Sequence, residues 1–216
     1  MTGMAEAARF DALFDHILVG DADAAVAAVQ TGLDDGVPAT SLLFDAMIPA
    51  LEEVGRRFET GEYFLPEMLV AARAMRSTMA LLRPSLVASD VPAAGRFVMG
   101  TVAGDIHDIG KDMVDLMLEG AGFEVIDLGV NVPAARFIEA IQEHEPDVVG
   151  MSAFLTTTMP QVARTIQAIR DAGLRDRVRI IVGGAPITEA FALESGADGY
   201  APDASSAVRA TRALIR

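Results

Sequence analysis

No cysteine occurs in the chain. Disulfides, thiolate zinc sites and cysteine-held iron–sulfur clusters are therefore excluded. Histidine is scarce as well, with only His16, His107 and His144. That argues against a metal centre built from several imidazoles, so any metal bound here arrives with most of its ligands attached. Tryptophan is absent. No apolar run is long enough to span a bilayer. The opening "MTGMAEAARFDALFDHILVG" carries acids early and no basic stretch, so it does not read as a signal peptide. No membrane partner is expected, and the cytoplasm is the default location. Cationic surface is lacking too. The net charge is −14, with 6 Lys/Arg against 13 Asp/Glu in residues 1–88 and 11 against 18 in residues 89–216. Neither part offers the positive face that phosphates need, and no nucleic-acid partner is expected. The acidity reads as a solubility device.

What is present is a chain of 216 residues, 51% hydrophobic, enough for one large or two small domains with real cores. Residues 1–88 read as helical. In "SLLFDAMIPALEEVGRRF", Leu43, Met47, Leu51, Val54 and Phe58 recur at helical spacing. In "LPEMLVAARAMRSTMALLRP", Leu65, Leu69, Ala72, Met75, Met79 and Leu82 do the same, with Gly61 as the stop between the two runs. Amphipathic stretches near 8–18 and 22–32 complete a four-helix bundle. "PSLVASDVPAAG", residues 84–95, has no helical period and reads as a linker, its core at 89–95.

From Arg96 the pattern changes. "RFVMGTV", "FEVIDLG", "DVVGMSA" and "RIIVGG" are short apolar runs, "DGYA" is a weaker fifth, and helical stretches near 109–121, 134–144, 160–173 and 187–195 separate them. Alternating buried strands and helices imply a doubly wound parallel sheet over 96–216. Ligands of such sheets sit beyond the carboxyl ends of the strands. The loop after the first strand, Ser152 at the end of the third and Gly183-Gly184 at the end of the fourth should therefore meet at one edge.

That first loop, "TVAGDIHDIGKDMV", lacks the glycine pattern of a phosphate loop. It presents His107 instead. Asp105, two residues earlier, can accept the other ring N–H, which fixes the tautomer and raises ligand basicity. Gly110 allows close approach at the start of the next helix. One imidazole backed by one carboxylate suits a metal that needs a single protein ligand.

"GDIHDIGKDMV" resembles the DxHxxG motif of cobalamin-binding domains that hold the cofactor with its own base displaced and a protein histidine on cobalt. "MSAFLTTT" resembles the SxL element of the same signature and "IVGGAP" its GG element, so Asp105, His107, Gly110, Ser152, Gly183 and Gly184 fall in order. "VGRRFETGEYFLPEMLVAARAM" is similar to the helical cap of cobalamin-dependent methionine synthase and of the small corrinoid proteins of methylamine, methanol and methoxy-compound methyltransferase systems. "GGAPITEAFALESGADGYAPDASSAV" is nearest to the latter. The one departure is Phe154, where the SxL element usually has Leu.

The resemblance implies an α/β fold: an N-terminal four-helix bundle cap, then a flavodoxin-like or Rossmann-like, doubly wound cobalamin-binding domain. It implies that His107 ligates cobalt from below, that Asp105 holds its far nitrogen, and that Ser152 extends this proton relay. Gly104, Asp105, Ile106, His107, Asp108, Ile109 and Gly110 would lie under the corrin. Gly183 and Gly184 would leave room for the displaced nucleotide tail, Phe154 would wall that slot, and Thr156 and Ala204 would add contacts. Phe58, Leu65 and Met68 would cover the methyl-bearing face, although spacing alone makes them bundle core. The implied activity is that of a methyl carrier cycling between cob(I)alamin and methylcobalamin, not a complete catalyst alone. Its partners would be a substrate:corrinoid methyltransferase, a second methyltransferase on the acceptor side and a reductive activator. A cobalamin-dependent light or ligand sensor is the alternative, but no DNA-binding segment is read ahead of the cap, and such sensors resemble one another in using Trp. Mutase subunits usually lack the Phe64-Leu65-Pro66 cap element. A flavodoxin-type flavin protein leaves His107 unexplained.

Overall fold

A computed structural model describes residues 2–88 and 93–215. It divides into two compact units: the helices up to Ala88 together with residues 120–122, and the rest of the chain from Ala93 onward. Residues 89–92, most of the expected linker, lie outside the described residues. Among the described residues no helix is long and apolar enough to cross a membrane.

The first unit consists of four helical rods. Helix α1 (Thr2–Leu18) and helix α2 (Ala22–Asp34) are followed by a composite rod. That rod is a short α3 (Ala39–Ser41), a π-helical segment (Leu42–Met47) and α4 (Ile48–Glu59). The wide turn ends just before Pro49, whose ring crowds the carbonyl four residues back and whose missing N–H cannot continue the ladder. The fourth rod, α5 (Leu65–Ala88), carries Pro84 inside it. Residues 84–88 are thus helical, which corrects the reading of the whole of 84–95 as linker. Pro84 is tolerated because it and Ala80, whose carbonyl loses its donor, both face solvent.

The buried face of α5 also differs from its sequence reading. Met68, Ala71, Ala72, Met75, Thr78, Leu82 and Leu86 are buried, whereas Leu65 and Leu69 are exposed. In the other rods α1 and α2 bury Leu13, Ile17, Ala25 and Val29, and the composite rod buries Leu42, Met47, Leu51 and Val54.

The second unit is a five-stranded parallel sheet with order β2-β1-β3-β4-β5. The strands are β1 (Arg96–Thr101), β2 (Glu124–Asp127), β3 (Val148–Ser152), β4 (Arg179–Gly183) and β5 (Gly199–Ala201). The crossovers are α6 (Ile109–Gly120), α7 (Ala134–His144), α8 (Met159–Asp171) and α9 (Glu189–Ser195). A closing helix α10 (Ala204–Leu214), capped by Asp203, was not expected; its inward face is built from the small or polar residues Ala204, Ser205, Ala207 and Thr211, with Val208 its one large apolar member. Val98, Val149, Met151, Ile180 and Val182 form one sheet face and pack on Phe137 and Ile141 of α7 and Val162, Ile166 and Ile169 of α8.

One charged cluster lies at the end of β2. The Lys111 ammonium, fully buried, is 2.6 Å from Asp112, 2.9 Å from Asp115 and 2.8 Å from Asp127. It occupies the place a cation would take among the three carboxylates. Asp115 is buried with one oxygen unpartnered. Burial outweighs its share of Lys111 and pushes its carboxyl up to about 7. Between the unfolded value of about 3.9 and that raised value, the folded state keeps a proton that the unfolded state has lost. The stability this group contributes is therefore full in acid and is lost as pH rises toward neutrality. Asp115→Asn should abolish this component, so its urea midpoint should gain on the parent's between pH values of about 5 and 8. Parallel pH profiles for the two proteins would contradict the assignment.

Candidate functional site

The sheet's strand order reverses between β1 and β3, the point beyond whose carboxyl ends ligands of doubly wound sheets bind. Parallel register sets Thr101, Ser152, Gly183 and Ala201 in one row across β1, β3, β4 and β5. The loops after these strands start from one level, so the three sequence elements share an edge.

In the first loop Asp105 is fully buried while residues 106–110 are exposed. Thr101, at the end of β1, donates its hydroxyl to the His107 carbonyl at 3.0 Å and closes the loop back on its strand. One Asp105 oxygen is 2.7 Å from His107 Nδ1 and accepts the His107 backbone N–H at 3.2 Å. The other accepts the N–H groups of Phe154 at 2.7 Å and Leu155 at 3.2 Å, and lies 2.6 Å from the Thr158 hydroxyl. Burial opposes ionisation most. The hydrogen bonds from Thr158, His107 and the Phe154 N–H outweigh it and hold the Asp105 carboxyl well below the usual carboxylate range. A carboxylate only accepts, so in the neutral ring the proton sits on Nδ1 and the lone pair is on Nε2.

The imidazole itself is 44% exposed. It stacks on Phe154, centroids 4.3 Å apart at 27°. Around it Ile106 and Ile109 are 73% and 68% exposed, and Val130, Phe154 and Leu155 are also uncovered. Apolar residues gathered at one loop edge mark a surface that something apolar covers. A Cβ at Gly110 would meet nothing, and one at Gly104 only the Thr158 methyl at 3.7 Å. The floor beneath any ligand is thus open.

Several expected residues take different places. The hydroxyl on Asp105 is that of Thr158, in place of Ser152. Ser152 is the last residue of β3, its carbonyl paired to the Val102 N–H, and the chain must turn through residues 153–158 before a hydroxyl meets the carboxylate. Phe154 flanks the imidazole as well as binding Asp105 through its N–H. Gly183 and Gly184 are needed for a reason internal to the fold. A Cβ on Gly183 would stand 2.7 Å from the Ala201 carbonyl oxygen, and one on Gly184, at φ 121°, would stand 1.9 Å from that of Ala153. Only glycine lets these backbones approach so closely. Thr156 is exposed on the β3–α8 turn, and Ala204 is buried at the start of α10, just beyond β5. In the helical unit Phe58 is half-buried and Leu65 exposed. Met68 is buried, where spacing alone would put a residue of the bundle core.

Two residues of this edge carried no signal in the linear motif. Thr158 sits within a run of threonines, and Asn131 lies in the β2–α7 loop with φ 55°. Asparagine's tolerance of that conformation was the only available hint.

A family model described as a B12 binding domain matches residues 95–209, and a second model of the same description matches residues 9–83. Trimethylamine corrinoid protein 1 of Methanosarcina acetivorans is 38% identical over 93% of this chain and 94% of its own length. A corrinoid protein of Desulfitobacterium hafniense is 36% identical over 95% and 96%. Among solved structures, a cobalamin-binding protein from Desulfitobacterium hafniense superposes with a TM-score of 0.81 at 30% identity, covering 96% of this chain and 98% of that one. The methanol:cobalamin methyltransferase complex of Methanosarcina barkeri contains a chain with a TM-score of 0.82 at 26% identity, with 96% and 79% covered.

Proposed function

The chain belongs to the B12-binding family, and from that premise we propose that it is a corrinoid protein that carries a methyl group between methyltransferases. The observation that carries the reading is the Asp105–His107 pair: one imidazole, its Nδ1 proton engaged by a buried carboxylate, its Nε2 free on an exposed apolar floor. Those residues fit a metal already ligated by a macrocycle, which needs one nitrogen from the protein and a wide apolar surface for the ring.

When bound, the cobalt supplies the chemistry, accepting a methyl group from one substrate and yielding it to another. The protein supplies binding, orientation and electrostatics. His107 would hold the metal through Nε2, with the cofactor's own base displaced. Asp105 fixes the tautomer and would balance any positive charge that develops on the ring. Ile106, Ile109 and Leu155 would exclude water beneath the macrocycle. The edge at Gly183, Gly184 and Ala204 would receive the displaced tail. Exposed Leu65 and half-buried Phe58 keep apolar surface that the methyl-bearing face could meet. The partners in this reading are a substrate:corrinoid methyltransferase, a second methyltransferase and a reductive activator, all in the cytoplasm.

Reconstitution tests the reading. The apoprotein should retain a single cobalamin per chain through gel filtration. The loaded, reduced protein should be methylated by one of the methyltransferases for methylamines or methanol, supplied with its substrate. Failure to retain cobalamin would sink the cofactor assignment. Retention without methylation by any of these enzymes would sink the carrier role.

A further inference from the structure

The loop that presents His107 is gripped from a second side. Beyond the end of β1 the chain stays paired with the segment after β2. The N–H of Thr101 donates to the Gly129 carbonyl at 2.9 Å, that of Val132 to the Thr101 carbonyl at 2.9 Å, and Val102 bridges Val132. At the far end of this pairing stands Asn131. Its backbone N–H donates to the Asp105 carbonyl at 2.8 Å. Its side-chain oxygen accepts the N–H of Gly104 at 2.7 Å. One residue thus engages the polar groups on both sides of the Gly104–Asp105 link, in a left-handed conformation (φ 55°) that asparagine tolerates better than most residues. Gly104 opposite is itself left-handed at φ 81°.

We propose that Asn131 is a positioning residue for His107, an inference that rests on the reading of His107 as the protein's ligand to cobalt. The carboxylate of Asp105 is held by the β3–α8 loop, and its backbone by Asn131 from the β2–α7 loop. The two grips fix the rotation of Asp105, so its inner oxygen faces Nδ1 and the imidazole turns Nε2 outward. If the Asn131 side chain is lost, the Gly104 N–H loses its partner and the loop can rotate about the left-handed glycine. The carboxylate stays with Phe154, Leu155 and Thr158, while its alignment on the ring slackens.

The test separates the side chain from the backbone conformation. Asn131→Gly keeps the left-handed state and removes the acceptor. Asn131→Asp keeps both. On the apoprotein, long-range 15N–1H correlation of the His107 ring reads the Nδ1–H tautomer without cofactor. On the cobalamin-loaded protein, electron resonance of the cobalt(II) form reads the fraction with an axial histidine nitrogen. Asn131→Gly should remain folded and shift the ratio of ordered to alternative ring states by about fivefold, the factor set by one lost neutral hydrogen bond. It should lower the ligated fraction, and Asn131→Asp should restore both readouts. A parent-like tautomer ratio in Asn131→Gly, or no recovery in Asn131→Asp, would overturn the proposal. If Asn131→Gly does not fold, the comparison moves to Asn131→Ser, with the same expected deficit against Asn131→Asp. Absence of axial histidine in the parent itself would instead overturn the ligand reading, and the apoprotein arm would still decide Asn131.

Discussion

Replacing His107 by alanine should abolish the axial protein nitrogen while leaving the protein folded and able to bind cobalamin more weakly. The imidazole is 44% exposed, and its packing partner is Phe154. Its removal costs Asp105 one donor of five, because Phe154, Leu155, Thr158 and the backbone N–H of residue 107 remain. Stability should therefore fall by only about 1.5–3 kcal/mol, the worth of one hydrogen bond to a charged group. The apolar floor and the glycine-lined edge are untouched, so affinity should drop without vanishing. The spectrum of the loaded variant should become that of a corrinoid with water or nothing below. Added imidazole should restore part of the parent spectrum by entering the vacated space. A variant with the parent's spectrum, unresponsive to imidazole, would show that His107 is not the ligand.

Asp105→Asn should damage both the fold and the site. The two side chains have nearly the same shape, so the change isolates charge and hydrogen-bond polarity. Both oxygens of Asp105 accept from donors, in a position with no solvent exposure. An amide offers one oxygen and one NH2, so a donor must face a donor on one side. If the NH2 faces the β3–α8 loop, the N–H groups of Phe154 and Leu155 lose their acceptor. The cost is then about 3–6 kcal/mol for two charge-assisted bonds. If it faces His107, Nδ1 must become the acceptor and Nε2 takes the proton, which removes the lone pair a metal requires.

The pH profile should change with it. The native Asp105 carboxyl is held below its unfolded value, so its contribution to stability is present above about 3.9 and is lost as pH falls further. Asp105→Asn should lack that acid-side loss and be less stable throughout the neutral range. Urea unfolding across pH, with the cobalt(II) spectrum of the loaded protein, checks both effects. Neutral-range stability equal to the parent's, with an unchanged spectrum, would remove Asp105 from the site.

How much of this was legible in the sequence depended on how local each contact is. Asp105 and His107 stand two residues apart on one loop, and their pairing could be read from spacing and residue type. The alternation of apolar runs and helices gave the parallel sheet, and with it the shared edge at Ser152 and Gly183. Thr158 and Asn131 reach the same carboxylate and loop from other crossovers, separated by 53 and 27 residues, so only the strand order brings them there. The reason for Gly184 was likewise hidden, since it lies in the Ala153 carbonyl of a neighbouring strand end. In the helical unit periodicity identified the rods but not the phase of α5. Leucines at 65 and 69 and methionines at 68 and 75 offer two overlapping apolar stripes, and tertiary packing selected the one that buries Met68.

The central claim is that the nitrogen on cobalt belongs to His107. It is tested most directly by electron resonance of the cobalt(II) protein, prepared once with natural-abundance histidine and once with histidine labelled uniformly with 15N in its ring. The account predicts that the axial nitrogen splitting changes from the triplet of 14N to the doublet of 15N, and that the splitting is absent in His107→Ala. A triplet that persists in the labelled protein would mean that the cofactor's own base still holds the metal, and would contradict the account.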